Sequence, residues 1–71
     1  MLNEALKWFY RRRALNCMTE SRPDRAERWY KKLEVMEPES IQVLHNLGVI
    51  SISLKKFREA ERYILREIEL F

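Results

Sequence analysis

The sequence repeats itself at an interval of 34 residues, and this repeat limits the possible folds more than any other feature. The run Ala-Glu-Arg-Trp at residues 26–29 returns as Ala-Glu-Arg-Tyr at residues 60–63. Three further pairs of similar residues share the interval: Ala14 and Gly48, Leu15 and Val49, and Met36 and Leu70. A chain of 71 residues therefore holds two copies of one structural unit, and each copy needs a neighbour to bury its apolar face.

Helix start signals divide the chain further. Ser21, as a capping residue, and Pro23, as a first-turn proline, precede one apolar run, and residues 37–40 offer similar signals. A third break lies at residues 53–56, where the helical spacing of the apolar residues is interrupted. Between the breaks, apolar residues recur every three or four positions, which is the spacing of an amphipathic helix. This pattern predicts four helices, at residues 4–20, 24–36, 40–54 and 57–70.

Composition favours an all-α fold. One Gly and two Pro are too few for the turns of a multi-stranded sheet, whereas Leu, Glu, Lys and Arg are plentiful. Hydrophobic residues make up 46% and charged residues 35% of the chain, a mixture typical of a folded, water-soluble domain. Because the predicted connections are short, we expect antiparallel helical hairpins in one domain spanning residues 1–71.

The second unit carries a recognisable motif. Residues 44–48 read Leu-His-Asn-Leu-Gly, which matches a Trp-x-x-Leu-Gly run with Leu in place of Trp, and Phe57 and Ala60 match an aromatic-to-alanine step in the following helix. Pro38 follows the first unit at the corresponding place. With the 34-residue period, these residues resemble the tetratricopeptide repeat family.

The resemblance implies a short right-handed α-solenoid of two units, at about residues 7–38 and 41–71. Gly48 and Ala60 would face each other where the helices of a hairpin approach most closely. Stacks of this kind need about three repeats and a polar capping helix. We therefore expect a fragment of a longer array, whose last helix is covered in solution by another copy of the chain.

The family resemblance also implies a function: a non-catalytic scaffold that binds a peptide or helical segment of a protein partner in a concave groove. The first helix of each unit would line this groove. Its exposed residues would be Trp8, Arg11, Arg12, Leu15, Met18 and Thr19 in the first unit, and Gln42, His45, Asn46, Val49, Ile52 and Ser53 in the second.

Within the groove, six residues are predicted to contact the partner. Trp8, Leu15 and Val49 would make apolar contacts, and Arg11, Arg12 and Asn46 polar ones. This mixture suits an amphipathic helical segment with acidic flanks. One alternative is a homo-oligomerisation module in which a second copy covers the groove and the last helix.

A second alternative is a weak nucleic-acid binder, although we expect no such partner. All of the net charge of +3 lies in residues 1–38, which hold nine Lys and Arg against six Asp and Glu. Arg11, Arg12 and Arg13 begin a basic set that Trp8 and Tyr10 interleave with aromatic rings. Acidic residues dilute this set, so solvated helix faces or an acidic protein partner account for it better.

The residues that catalysis or metal binding would need are scarce. Cys17 is the only Cys and His45 the only His, so no set of metal ligands at a credible spacing can be assembled. No Gly-rich phosphate loop and no nucleophile with an evident base are present. We expect no enzymatic activity and no cofactor.

The single cysteine bears on location. Cys17 has no partner for an internal disulfide, and a lone thiol is typical of a reducing compartment. The sequence also lacks an apolar run of the length that a signal peptide or membrane span requires. We therefore predict a cytoplasmic protein without a membrane partner.

Overall fold

The four predicted helices are present. A computed structural model describes residues 2–71, and within that range every regular element is an α-helix. The helices are α1 (Leu2–Thr19), α2 (Pro23–Met36), α3 (Ile41–Ser53) and α4 (Phe57–Leu70). The all-α prediction is confirmed, and none of these helices has the length and apolar character that crossing a membrane requires.

The helices pack in the order in which they follow one another. Helix α1 packs on α2, α2 on α3, and α3 on α4, whereas no Cα atom of α1 lies within 8 Å of one in α3. The molecule is a slab of 34 × 28 × 14 Å formed by two stacked hairpins, α1–α2 and α3–α4. Its core contains one continuous cluster of buried residues: Ala14, Cys17, Ala26, Tyr30, Leu33, Val43, Leu44, Leu47, Ile50 and Tyr63.

The two hairpins turn by the same device at equivalent positions. Ser21 and Lys55, 34 residues apart, are the residues with positive φ, at 57° and 61°. In the first turn the Arg22 amide donates to the Cys17 carbonyl at 2.8 Å and the Ser21 amide to the Met18 carbonyl at 3.0 Å. Residues 51–56 repeat this pair of bonds, which closes a helix on a left-handed residue.

The prediction that Ser21 caps α2 is therefore wrong. Arg22 occupies the capping position of α2 and makes no side-chain capping bond, because Ser21 is used to end α1. The start signal at residues 37–40 is confirmed instead at Ser40, whose hydroxyl accepts from the Val43 amide at 3.3 Å.

The close approach within the second hairpin also differs from the prediction. A Cβ atom added at Gly48 would lie 3.4 Å from Ile64 Cγ1 and 3.8 Å from Tyr63 Cβ, with no atom of Ala60 within 4 Å. Gly48 thus faces α4 one turn beyond Ala60. The sequence motif identified the two small residues correctly but not the register between their helices.

A charged contact ties the hairpins together. Glu27 is buried in α2, and its carboxylate accepts from Lys56 Nζ at 2.9 and 3.1 Å. This hydrogen bond is the main reason that the pKa of Lys56 is raised, which keeps the ammonium charged beside the carboxylate. Lys31 adds a second link between the hairpins, with Nζ 3.4 Å from Glu59 Oε1.

Candidate functional site

The three predicted apolar anchors are exposed. Trp8 is 65% and Leu15 47% exposed on α1, and Val49 is 41% exposed on α3. Ile52, at 49%, extends the α3 row by nearly one turn. We call these four residues the α1–α3 row. None of them contributes to the buried core, so all of them remain accessible to a partner.

The α1–α3 row runs along one side of the stack. Leu15 and Val49 occupy equivalent repeat positions on helices that stack one hairpin apart. The carboxyl ends of α1 and α3 meet where Met18 and Ser53 line a shared cavity of about 310 Å³. No Cα atom of α1 lies within 8 Å of one in α3, so the row consists of two pairs of side chains, each pair on its own helix.

A tyrosine from α2 reaches between α1 and α3. Tyr30 is 2% exposed, and its hydroxyl accepts a hydrogen bond of 3.1 Å from Asn46 Nδ2. Burial raises the pKa of Tyr30, because the phenolate would be poorly solvated, while the Asn46 bond and the Arg11 charge oppose this effect. Asn46, one of the predicted partner contacts, is thus already bonded within the chain.

Arg11 is also engaged within the chain. Its Nη2 atom lies 2.6 Å from Glu37 Oε1, and Lys7 Nζ lies 3.7 Å from the other oxygen of the same carboxylate. Arg12, the next residue, is exposed and has no carboxylate within 4 Å among residues 2–71. Of the three predicted polar contacts, Arg12 alone presents a charge with no partner in this part of the chain.

The basic residues of the first half separate into different surroundings. Arg13, Arg25 and Arg28 line a cavity of about 630 Å³ between α1 and α2, where Glu20 and Asp24 also lie. Arg11 and Lys31 are held by carboxylates elsewhere. The structure therefore forms no single continuous basic face from these residues.

A second apolar surface lies on the outer side of the second hairpin. A cavity of about 430 Å³ is lined by His45 of α3, by three residues of α4 and by the residue that follows α4. The last four are Ile64, Glu67, Ile68 and Phe71. We call this surface the α4 face. Ile68 is 64% and Phe71 99% exposed, and His45 Nδ1 lies 3.2 Å from Glu67 Oε2.

Residues of the types that bind metal ions do not cluster in residues 2–71. No group of three or more His, Cys, Asp or Glu residues in this range is placed to hold a metal ion. Cys17 is 8% exposed within the core cluster, and His45 on α3 contacts the carboxylate of Glu67 on α4, the other helix of the same hairpin.

Sequence reasoning missed two residues that contact the predicted site: Tyr30, which accepts a hydrogen bond from Asn46, and Glu37, which pairs with Arg11. The available clue was hairpin register, since antiparallel packing brings the end of α2 near the start of α1. The α4 face was foreseen only as an uncovered last helix, without His45 or Ile64. No protein-family model, curated protein or solved structure matches this chain.

Proposed function

We propose that this chain is a non-catalytic interaction module of the tetratricopeptide type, which binds an amphipathic helical segment of another protein along the α1–α3 row. The observation that carries the proposal is the exposure of four large apolar side chains on two stacked helices. Exposed apolar residues grouped in this way mark interaction surfaces, whereas scattered single ones do not.

The arrangement and charge of the row favour a helix as the ligand. An amphipathic helix lying between the α1 and α3 side chains of the row would contact both with its apolar stripe, whose anchors are spaced at three, four and seven residues. Arg12 lies beside the row on α1 and is free to pair with an acidic residue at the flank of the ligand. The expected partner is therefore apolar along one stripe and acidic at its edge.

The same proposal places the protein in a reducing compartment such as the cytoplasm. Cys17 is buried in the core and has no second cysteine to pair with. A reducing environment keeps such a thiol in the reduced form that the core packing accommodates.

The test uses a synthetic amphipathic peptide with Leu at helical spacing and Glu at both flanks, titrated calorimetrically into the 71-residue chain. Combining Leu15→Ser with Val49→Ser should weaken binding about a hundredfold, because two anchors are lost. The matched control is Val35→Ser, since Val35 is 82% exposed but lies on α2, away from the row. Equal losses in the row variant and the control would contradict the proposal.

Charge is tested separately at Arg12. Arg12→Glu should weaken the acidic-flanked peptide about tenfold and leave a peptide with neutral flanks unaffected. Arg58→Glu on α4 is the control, because Arg58 is also exposed and has no ion pair among residues 2–71. Arg11 is left unchanged, since Arg11→Glu would place a carboxylate against Glu37 and destabilise the fold.

Binding of a single-stranded oligonucleotide in preference to both peptides would favour the nucleic-acid alternative.

A further inference from the structure

The α4 face is the uncovered counterpart of a surface that the first hairpin buries. Tyr30 and Leu33 are 2% and 0% exposed in α2, because α3 packs over them. Their equivalents 34 residues later are Ile64, at 39%, and Glu67, whose side chain is 24% exposed. Within residues 2–71 no element packs over the second hairpin as α3 packs over the first.

We propose that a second copy of this chain covers the α4 face, and that the two copies meet α4 face to α4 face about a two-fold axis. The inference is independent of the proposed peptide groove, because none of the four residues of the α1–α3 row lines the α4 face. In a two-fold interface, if residue i of one copy contacts residue j of the other, then residue j of the first copy also contacts residue i of the second. A surface with an apolar centre and both a donor and an acceptor can satisfy itself in this way.

The opposite end of the molecule is unsuited to cover this face. Helix α3 presents Val43, Leu47 and Ile50 to the first hairpin, each at most 1% exposed. The equivalent positions of α1 carry an aromatic residue, a cation and an amide: Phe9, Arg13 and Asn16. Docking α1 of a second copy on the α4 face would bury two charges, Arg13 and Glu67, at the positions where the chain itself buries Leu47 and Leu33, and a buried ion pair gains little over apolar packing. Head-to-tail stacking is therefore disfavoured.

Charge distribution also favours contact through the second hairpin. Residues 1–38 carry nine basic and six acidic side chains, whereas residues 39–71 carry five of each. A two-fold contact between second hairpins joins the neutral halves and keeps the basic halves apart. On the face itself, His45 and Glu67 lie 3.2 Å apart and can exchange partners with the same pair on the other copy.

The size of the face bears on how stable the dimer can be. Helices of 13 and 14 residues are about 20 Å long, and two side by side present about 400 Å² on each copy. The total of about 800 Å² lies below the standard interface size, so we expect a weak dimer in equilibrium with the monomer.

Sedimentation equilibrium of the chain over about a hundredfold range of concentration tests the proposal. The expected result is a monomer–dimer equilibrium that stops at the dimer, because a two-fold contact is closed. Ile68→Glu should raise the dissociation constant at least about a hundredfold, since each dimer then buries two carboxylates among apolar side chains. Helical content measured by circular dichroism should be unchanged, because Ile68 is 64% exposed in the monomer.

Two control variants identify the surface. Leu65→Glu changes a residue of the same helix that is 52% exposed but does not line the α4 face, so the dimer should persist. Arg13→Ala should leave a two-fold dimer intact, whereas it would alter head-to-tail assembly, and growth beyond the dimer would indicate that assembly.

Three results would overturn the proposal: a monomer throughout the concentration range, a dimer that Ile68→Glu does not weaken, or equal weakening by Leu65→Glu. If Ile68→Glu reduces helicity, Phe71→Ala replaces it, because Phe71 is 99% exposed and follows the last helical residue. A dimer insensitive to that variant as well would equally refute the assignment. Loss of peptide binding in the Leu15 and Val49 variants, with the dimer retained, separates this inference from the proposed function.

Discussion

The two hairpins share a backbone plan but differ in what covers them. Both turn through a left-handed residue, Ser21 or Lys55, at equivalent positions. In the first hairpin, α3 covers α2, so Leu33 is fully buried. In the second hairpin the equivalent residue is Glu67, which lies at a partly open surface. The difference shows that burial in this fold depends on position in the stack, and that residue type has adapted to it.

The largest expected effect is a difference in stability between variants at equivalent positions of α3 and α1. Leu47 is fully buried in α3, so Leu47→Ala should lower the free energy of unfolding by about 2–5 kcal/mol. Arg13, its equivalent in α1, is exposed, and Arg13→Ala should change that free energy by no more than about 0.5 kcal/mol. Urea unfolding followed by circular dichroism measures both. A similar loss of unfolding free energy at the two positions would contradict the burial of Leu47 and the exposure of Arg13.

The next effect concerns the closest approach in the second hairpin. Gly48→Leu should destabilise the fold by about 1–3 kcal/mol, because a larger side chain meets Ile64 and Tyr63. Gly48→Ala should instead stabilise it by about 0.5–1 kcal/mol, since a Cβ atom at 3.4 Å makes an ordinary contact and Ala favours the helix. Thermal unfolding of both variants distinguishes them. Destabilisation by Ala would show that the second hairpin packs more tightly than the first, which has Ala14 at this position.

A smaller effect is expected at a buried hydroxyl. Ser51 is fully buried and its Oγ atom has no hydrogen-bond partner among the described residues 2–71, whereas the equivalent position in the first hairpin holds the less polar Cys17. Ser51→Ala should raise the free energy of unfolding by about 1 kcal/mol, because an unsatisfied polar group is removed. Ser53→Ala, at an exposed site in the same helix, is the control and should have little effect. A loss of stability in Ser51→Ala would indicate a hydrogen bond, for instance to water, at this position.

The smallest effect is a pH dependence that the two hairpins share. Burial raises the pKa of Tyr30 and of Tyr63 above 10.0, so both stabilise the fold fully below that pH and lose their contribution as pH rises past the raised pKa. Asn46 and Arg11 oppose burial at Tyr30, and Lys31 and Arg62 oppose it at Tyr63, where the Glu34 charge adds to it. Tyr30→Phe and Tyr63→Phe should therefore each reduce the loss of stability at alkaline pH. Urea unfolding at neutral pH and above pH 10 measures this loss, and an unchanged loss in both variants would contradict the role of the two tyrosines.

The sequence allowed the helices, their number and their breaks to be predicted, because each depends on local residue patterns. The predicted bounds agree with the structure to within about two residues, which is the ordinary uncertainty of helix ends. The start signal at residues 37–40 could be identified because a capping bond, here the one that Ser40 accepts, spans only three residues. Ser21 was misassigned because the same residue type also ends helices when it adopts a left-handed conformation.

The candidate site was less predictable, since its contacts join residues far apart in sequence. Exposure of Trp8, Leu15 and Val49 was expected from the family resemblance, which assigns one face of α1 and of α3 to the groove. The Arg11–Glu37 pair spans 26 residues, and the separation of Arg13, Arg25 and Arg28 from the other cations depends on how α1 sits against α2. Such pairings require a register that neither composition nor repeat length determines.

The succession of backbone contacts, each helix touching only its neighbours in the chain, bears on how the molecule forms. Because α1 does not approach α3, the contacts close short segments, and the entropy lost on closing each one is small. Chains of low contact order fold in microseconds to milliseconds. Either hairpin is able to nucleate and recruit the other across the α2–α3 contact. During synthesis α1 and α2 can therefore be paired before α4 has been made.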